Sequence, residues 1–244
     1  IILGGHYAYI ATPKALVILN LDNPLAPKLV RQIPLDDVRA SALQFRYLLV
    51  SHAGGVSAID VTLPEQARLI PDNTIALEQA RGIHLARAYA YVAAGKDGLV
   101  IIDMENPEKL SLYQRFTAEG TLQDSHDVIV ASTNASAFAY VADGAGGLKV
   151  VQLTSPASQP NFYGFNPAPV PQLIAKAKTR YPALSLSRGL ERDRAVDETG
   201  GQVAVFGRHG SRPFTLEEMR RLFLNEKGEP WFVTDKVSAS GGKR

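Results

Sequence analysis

Residues 89–107, YAYVAAGKDGLVIIDMENP, decide the fold. Two apolar runs, Tyr89–Ala93 and Leu99–Ile102, flank a turn that ends at Gly98, and Asn106-Pro107 closes the stretch. β-Branched and aromatic residues suit the pleated surface of a strand, and glycine permits the positive φ that tight hairpin turns need. Proline ends the pairing because it has no N–H to donate to a neighbouring strand. The stretch therefore predicts a β-hairpin that is buried on both faces.

The same pattern recurs along the chain. Its closing prolines lie 40, 43 and 49 residues apart, at Pro24, Pro64, Pro107 and Pro156. A fifth, weaker copy is expected over residues 194–213. Glycines mark the predicted turns of the copies, at Gly54, Gly55, Gly98, Gly146, Gly147, Gly200 and Gly201. A period of about 40 residues is typical of repeat architectures such as propellers.

Further strand candidates lie between these hairpins. Between the first two hairpins lie Lys28–Ile33 and Ala42–Phe45. The segments at the matching place later in the chain are Gly82–Leu85 and Asp127–Val130. About four strands per copy correspond to one propeller blade. We therefore predict an all-β fold, a β-propeller of four-stranded blades with about five visible repeat signatures. A β-sandwich or another all-β repeat is the alternative.

The tail has a different character. Thr215 and Glu218 have the spacing of a capping box, and they predict a short helix over 215–225, followed by a strand at Trp231–Thr234. We expect propeller repeats over residues 1–213 and a helix–strand extension with a frayed end over 214–244. The opening Ile1–Gly5 is typical of a strand interior, and we expect the chain to be a piece of a longer protein. Either residues outside the given chain complete the ring, or the strand near Trp231 closes a smaller one.

Composition limits the possible partners and cofactors. The net charge is +2, with 45% hydrophobic and 20% charged residues, so no overall field favours nucleic acid. There is no cysteine, which excludes disulfides, thiolate zinc sites and iron–sulfur ligation in this chain. No apolar run approaches the roughly 18 residues that span a bilayer. We expect no cofactor, no nucleic-acid partner and no transmembrane segment.

The repeat resembles a known family. The runs Gly98–Asp103 and Gly147–Val151, each after Tyr-Val-Ala and before Asn-Pro or Ser-Pro, are similar to the LVIVD repeat. The resemblance covers residues 6 to about 165 well and 180–213 weakly. It implies a propeller and an exported, periplasmic or cell-surface location in bacteria or archaea. It implies little about function, because the motif residues are structural.

One polar cluster stands out in the body of the chain. Asp124, His126 and Asp127 could ligate a divalent metal or act as an acid–base pair. We favour the alternative that they satisfy backbone donors in a polar loop. The cluster lies within the 49-residue spacing, near the strand that should line the central channel. Arg81 should occupy the comparable place in the preceding repeat, and the corresponding strands of other repeats offer Ser41 and Pro182.

Other polar residues receive structural interpretations. Arg208, His209 and Arg212 form a basic loop that could bind phosphate or an acidic partner surface, although a solvated loop is the favoured interpretation. The repeat carboxylates Asp60 and Asp103 are expected to brace the turns that follow them rather than to bind calcium.

No short catalytic signature is present: the chain has no Gly-x-Ser-x-Gly, phosphate-binding loop, His-Glu-x-x-His or Rossmann glycine fingerprint. The leading hypothesis is a non-catalytic scaffold or recognition module that binds a protein partner or another part of its own longer chain. One alternative is a metal-assisted hydrolase or lyase with a channel site around His126. Another is an accessory subunit of a surface electron-transfer assembly.

Overall fold

The computed structural model describes residues 1–132, 136–158 and 167–187 and, after them, 208–209, 212–213, 215, 217–218, 220 and 226–228. The chain divides into two compact units, Ile1–Ser187 and Arg188–Arg244. The first unit contains four sheets of four strands each, and neighbouring strands within each sheet are antiparallel.

Each of these sheets is one blade, in which four consecutive strands pair in chain order. Blade 1 comprises β1 (Ile2–Gly4), β2 (Tyr7–Ala11), β3 (Ala15–Asn20) and β4 (Lys28–Pro34). Blade 2 comprises β5 (Ala40–Gln44), β6 (Tyr47–His52), β7 (Gly55–Asp60) and β8 (Arg68–Ala76), with a 3-10 turn at Pro64–Gln66. Blade 3 comprises β9 (Ile83–Ala86), β10 (Tyr89–Ala93), β11 (Leu99–Asp103) and β12 (Ser111–Phe116). Blade 4 comprises β13 (Asp127–Ser132), β14 (Ala137–Ala142), β15 (Leu148–Thr154) and β16 (Gln172–Ala177).

The prediction of four-stranded blades is confirmed. Each closing proline lies between the third and fourth strands of its blade, where the chain must leave one ladder before joining the next. Asp60 and Asp103 brace this connection, because their Oδ1 atoms accept the N–H groups of Thr62 at 3.0 Å and Glu105 at 2.8 Å. In blade 1, the side-chain oxygen of Asn20 accepts a backbone N–H in the same way.

Alternate residues of a central strand face the two neighbouring blades. In β10, Ala90 and Val92 belong to the core shared with blade 2, whereas Tyr91 and Ala93 belong to the core shared with blade 4. All four are buried. Burial on both faces explains why this strand is a continuous apolar run rather than an alternating one.

The first strands of the blades are the inner strands. β1 contacts β5, β5 contacts β9, and β9 contacts β13. At the starts of β9 and β13, the N–H of Gly82 donates to the carbonyl of His126 at 3.0 Å. At the ends of β5 and β9, Gln44 Nε2 donates to the carbonyl of Arg87 at 2.9 Å, so the inner strands run in the same direction. Their starting ends therefore lie on one face of the first unit and their finishing ends on the opposite face.

The described residues of the second unit include parts of the predicted basic loop and capping box. Arg208–His209 (β17) pairs antiparallel with Arg212–Pro213 (β18). Thr215 and Glu218 form the predicted capping box: the N–H of Thr215 donates to Glu218 Oε2 at 2.8 Å, and the N–H of Glu218 donates to Thr215 Oγ1 at 3.3 Å.

Several predictions fall on other parts of this unit. Gly200, Gly201, most of the fifth copy and the strand at Trp231–Thr234 lie outside the described residues. The domain boundary after residue 213 stays a prediction. Within the described part of the chain, no helix is long and apolar enough to cross a bilayer.

Candidate functional site

Three residues occupy the same position in consecutive blades, one or two residues before the inner strand begins. They are Arg39, Arg81 and His126, and each donates its backbone N–H to the second strand of its own blade. The acceptors are the carbonyl groups of Ser51 at 2.9 Å, Ala93 at 2.9 Å and Ala142 at 2.8 Å. One nitrogen-bearing side chain per blade is therefore placed at the starting ends of β5, β9 and β13.

The sequence found two of these three residues. Arg81 and His126 were predicted to be equivalent, but the assignment of Ser41 to blade 2 is wrong by two residues, because Ser41 pairs with Val50 inside β5. Arg39 holds that position. The spacing could have revealed it: Arg39 precedes Ser51 by 12 residues, as Arg81 precedes Ala93.

Asp124 joins Arg81 to His126. Its Oδ1 lies 2.9 Å from Nη1 of Arg81, and its Oδ2 lies 3.0 Å from Nε2 of His126. These two hydrogen bonds, with the one from Arg81 the stronger, lower the pKa of the Asp124 carboxyl group. The structure thus brings together three of the four residues that the sequence singled out, as one bridged network.

Asp127 has a different environment. Its Oδ1 accepts the N–H of Val128 at 2.9 Å, and its Oδ2 accepts the N–H of Leu186 at 2.8 Å. A Cβ at Gly82 would lie 2.7 Å from the Asp127 Cα, so glycine allows β9 and β13 to approach closely here. Among the described residues, no group of three or more His, Asp or Glu side chains is arranged to hold a metal ion.

A buried carboxylate fixes the loop that carries Asp124. Asp143 Oδ1 accepts the N–H groups of Gln123 at 3.1 Å and Asp124 at 3.0 Å, and the hydroxyl of Ser125 at 3.1 Å. Lys149 lies against the other oxygen, with Nζ 3.6 Å from Oδ2, and the two side chains are only 5% and 3% exposed.

This ion pair is specific to blade 4. By hairpin register, the positions of Asp143 and Lys149 are those of Ala94 and Val100 in blade 3, both of which are buried. Blade 3 forms the same hairpin without any charge there. In blade 2 the first position is His52, whose Nδ1 accepts the N–H of Gly54 at 3.1 Å, and burial lowers the pKa of its ring.

The three equivalent residues border a cavity of about 570 Å³. Its wall also contains Glu78, Asp127 and Leu184. Within the wall, Arg39 is held by Asp37, with Nη2 2.7 Å from Oδ2, and by the carbonyl of Ala80, which accepts from Nη1 at 2.8 Å. A cavity of this volume is in the size range of small-molecule sites.

The opposite ends of the inner strands carry an exposed phenylalanine. Two-residue turns follow β1, β5 and β9, and the first residue of each is left-handed: Gly5 has φ 58°, Phe45 has φ 52° and Arg87 has φ 57°. The Phe45 side chain is 92% exposed. The sequence analysis did not identify it, since a turn residue belongs to no apolar pattern.

These turns lie close together. A Cβ at Gly4 would lie 2.4 Å from the Leu43 side chain, and Gln44 Nε2 donates to the carbonyl of Arg87 at 2.9 Å. The guanidinium of Arg46 lies 5.0 Å from the ring centroid of Tyr47. We call the surface formed by Gly5, His6, Phe45, Arg46 and Arg87 the turn face.

A comparison with solved structures supports the fold alone. A functionally unknown protein from Desulfotomaculum acetoxidans matches with a TM-score of 0.53 and 14% identity, over 78% of this chain and 59% of that one. This chain thus spans 59% of the length of that protein. A luciferin-regenerating enzyme matches with a TM-score of 0.45 and 11% identity, over 75% and 62% of the two chains. AztD from Citrobacter koseri matches with a TM-score of 0.41 and 13% identity, over 74% and 46%. The last two likenesses are too distant to inform function.

The family comparison agrees with the repeat pattern. No curated protein is similar to the chain in sequence. The model of the LVIVD repeat matches residues 1–33, 79–118 and 129–165, which correspond to blades 1, 3 and most of 4. Blade 2 has the same four strands and the same strand order. The chain therefore contains LVIVD repeats, which fold here into four-stranded propeller blades.

Proposed function

We propose that this chain is a non-catalytic recognition module of an exported or cell-surface protein, and that it binds a protein partner or another part of a longer chain through the turn face. The observation that carries the proposal is the conformation of Phe45. A left-handed backbone costs about 1–2 kcal/mol for a residue with a Cβ, whereas Gly5 adopts the same φ in blade 1 without that cost.

Exposure and strain occur together at Phe45. An aromatic side chain that is 92% exposed gains little from folding, so neither packing nor backbone preference favours phenylalanine at this turn. Backbone strain of this kind concentrates at functional sites, and buried aromatic anchors dominate many interfaces. Arg46 follows Phe45, but its guanidinium already lies 3.5 Å from Glu108 Oε1, so we expect the apolar side chain of Phe45 to be the anchor.

The polar cluster supports the same proposal over a metal-assisted enzyme. Both carboxylate oxygens of Asp124 accept hydrogen bonds from side chains, and both oxygens of Asp127 accept backbone N–H groups. A metal ion bound through Nε2 of His126 would have to displace Asp124, because a ring nitrogen offers a single site and Asp124 Oδ2 lies 3.0 Å from it. The carboxylates therefore serve to position Arg81, His126 and the inner strands.

The test compares Phe45→Gly with Leu25→Ala, since Leu25 is 95% exposed and lies outside the turn face. Both variants should fold, and the melting temperature of Phe45→Gly should be no lower than that of the wild type because glycine relieves the left-handed strain. We expect proteins from the envelope fraction of the source organism to be retained by immobilised wild type and Leu25→Ala. Phe45→Gly should retain at least about tenfold less. Equal retention by Phe45→Gly and the wild type would contradict the proposal. No retention by the wild type would exclude an envelope protein partner and leave another part of a longer chain as the occupant.

A further inference from the structure

We propose that the cavity at the starting ends of β5, β9 and β13 binds a small zwitterion with the chemistry of an α-amino acid. Its carboxylate would lie at Arg81 and its ammonium group at the acidic wall formed by Glu78 and Asp127. The turn face lies at the finishing ends of the same strands, so this site is independent of the proposed partner surface.

Arg81 supplies the donors for a carboxylate. A guanidinium has five N–H groups in a fork that matches a carboxylate. In the described part of the chain, only Asp124 accepts a side-chain hydrogen bond from Arg81, through Nη1. The Arg81 side chain lines the cavity and is 25% exposed, so it is partly desolvated. Asp124 holds its Nη1, and the other N–H groups of the guanidinium are available to a ligand.

The charges of the wall favour a zwitterion over a simple anion or cation. The wall presents both signs of charge and no large excess of either. Asp37 lies beside Arg39 and Asp124 beside Arg81. Lys96 Nζ lies 2.7 Å from Oε2 of Glu78, and Asp127 adds a further carboxylate. An anion would meet the carboxylates, and a cation would meet the guanidinium groups. A ligand with both charges can satisfy both, and Ala40 and Leu184 provide apolar surface for a side chain.

The hydrogen bonds that hold Arg81 in place indicate a preorganised binding site. Asp143 holds the loop of Asp124, and Asp124 in turn holds Arg81 and His126. A buried ion pair is a weak source of stability, because desolvation offsets its attraction. Blade 3 forms its hairpin with Ala94 and Val100 at the corresponding positions. The ion pair of blade 4 therefore acts to preorganise the cavity wall, as supporting residues do around binding sites.

The first test is isothermal titration calorimetry of the full chain with each of the twenty L-α-amino acids. At least one should bind with a dissociation constant below about 1 mM. Its N-acetyl derivative, which lacks the ammonium charge, and its methyl ester, which lacks the carboxylate, should each bind at least about tenfold more weakly. Binding of no amino acid, equal binding of either derivative, or equal binding of inorganic phosphate would overturn the proposal.

Variants locate the site. Arg81→Lys keeps the charge but loses the fork, and it should raise the dissociation constant at least about tenfold. Arg68→Lys is the matched control and should leave binding unchanged. Arg68 does not line the cavity, and its Nη2 lies 3.7 Å from Asp60 Oδ2. Phe45→Gly should also leave binding unchanged, so failure here is separable from failure of the proposed function. Unaltered affinity in Arg81→Lys, or equal losses in Arg81→Lys and Arg68→Lys, would overturn the assignment.

The supporting pair has its own variant. Asp143→Ala/Lys149→Val installs the apolar residues of blade 3, and it should weaken amino-acid binding at least about tenfold while the far-ultraviolet circular dichroism stays that of the wild type. Wild-type affinity in this variant would show that the ion pair does not preorganise the cavity.

Discussion

Asp143→Ala is expected to lower the free energy of unfolding by about 3 kcal/mol, because it leaves a buried ammonium group without its carboxylate. The Lys149 side chain is 5% exposed, and Asp143 is the carboxylate that faces it. The variant also removes the acceptor of three hydrogen bonds from the loop of residues 123–125. Urea denaturation, with the midpoint and slope measured for both proteins, gives the loss.

The double variant Asp143→Ala/Lys149→Val separates the unpaired charge from the lost carboxylate. It installs the buried pair Ala94 and Val100 of blade 3, which forms the same hairpin. We expect it to regain more than half of the stability that Asp143→Ala loses, since replacing a buried ion pair with apolar residues is often neutral. The single variant Lys149→Val completes the comparison. If the double variant loses as much stability as Asp143→Ala and Lys149→Val together, the pair is not coupled and this explanation is wrong.

Gly98→Ala is the second substitution with a large expected effect. Gly98 has φ 69°, and a Cβ there would lie 2.5 Å from the carbonyl oxygen of Phe116 in the adjacent strand. Backbone strain and overpacking together should lower the free energy of unfolding by about 3 kcal/mol. Gly55 and Gly147 have equivalent contacts with the fourth strands of their own blades, at 2.0 Å and 2.3 Å.

Gly5→Ala is the matched control for Gly98→Ala. Gly5 has φ 58°, but its Cβ would meet nothing within 4 Å. The backbone strain alone should therefore lower the free energy of unfolding of Gly5→Ala by about 1 kcal/mol. Similar losses in the two variants, measured by urea denaturation under the same conditions, would mean that the approach of the fourth strand to the turn does not constrain Gly98.

The strands were predictable because the repeat is local. Tyr89 pairs with Asp103 and Tyr47 with Asp60, so one hairpin pattern fixes the register of each blade. The position of the inner strands followed from the same period. Gly200, Gly201 and the strand at Trp231–Thr234 lie outside the described residues, and the predictions for them stay predictions.

The site was predictable only where it follows the repeat. The equivalence of Arg81 and His126 was predicted from their positions within the repeat. Arg39 was missed because it lies in a loop among other charged residues. A lysine within the strand residues Leu148–Val151 is expected to face solvent, so no feature of the sequence predicts that Lys149 is buried beside Asp143. Phe45 depends on a turn conformation that apolar periodicity does not encode.

The two ends of the inner strands therefore have different chemistry. At their start, Asp143, Asp124 and Arg81 form a connected polar network beside a cavity. At their end, Phe45 projects from a turn beside basic residues. The recognition proposal requires that the carboxylates of the polar network serve as hydrogen-bond acceptors and not as metal ligands.

Metal content tests that requirement most directly. The full chain and the variant His126→Ala/Asp127→Ala would be purified without chelators and measured by inductively coupled plasma mass spectrometry. We predict no stoichiometric metal in either protein, since Asp124 Oδ2 occupies Nε2 of His126 and, among the described residues, no three His, Asp or Glu side chains are grouped to hold an ion. A stoichiometric metal in the wild type that is lost from the folded variant would contradict the recognition proposal and favour a metal-assisted enzyme.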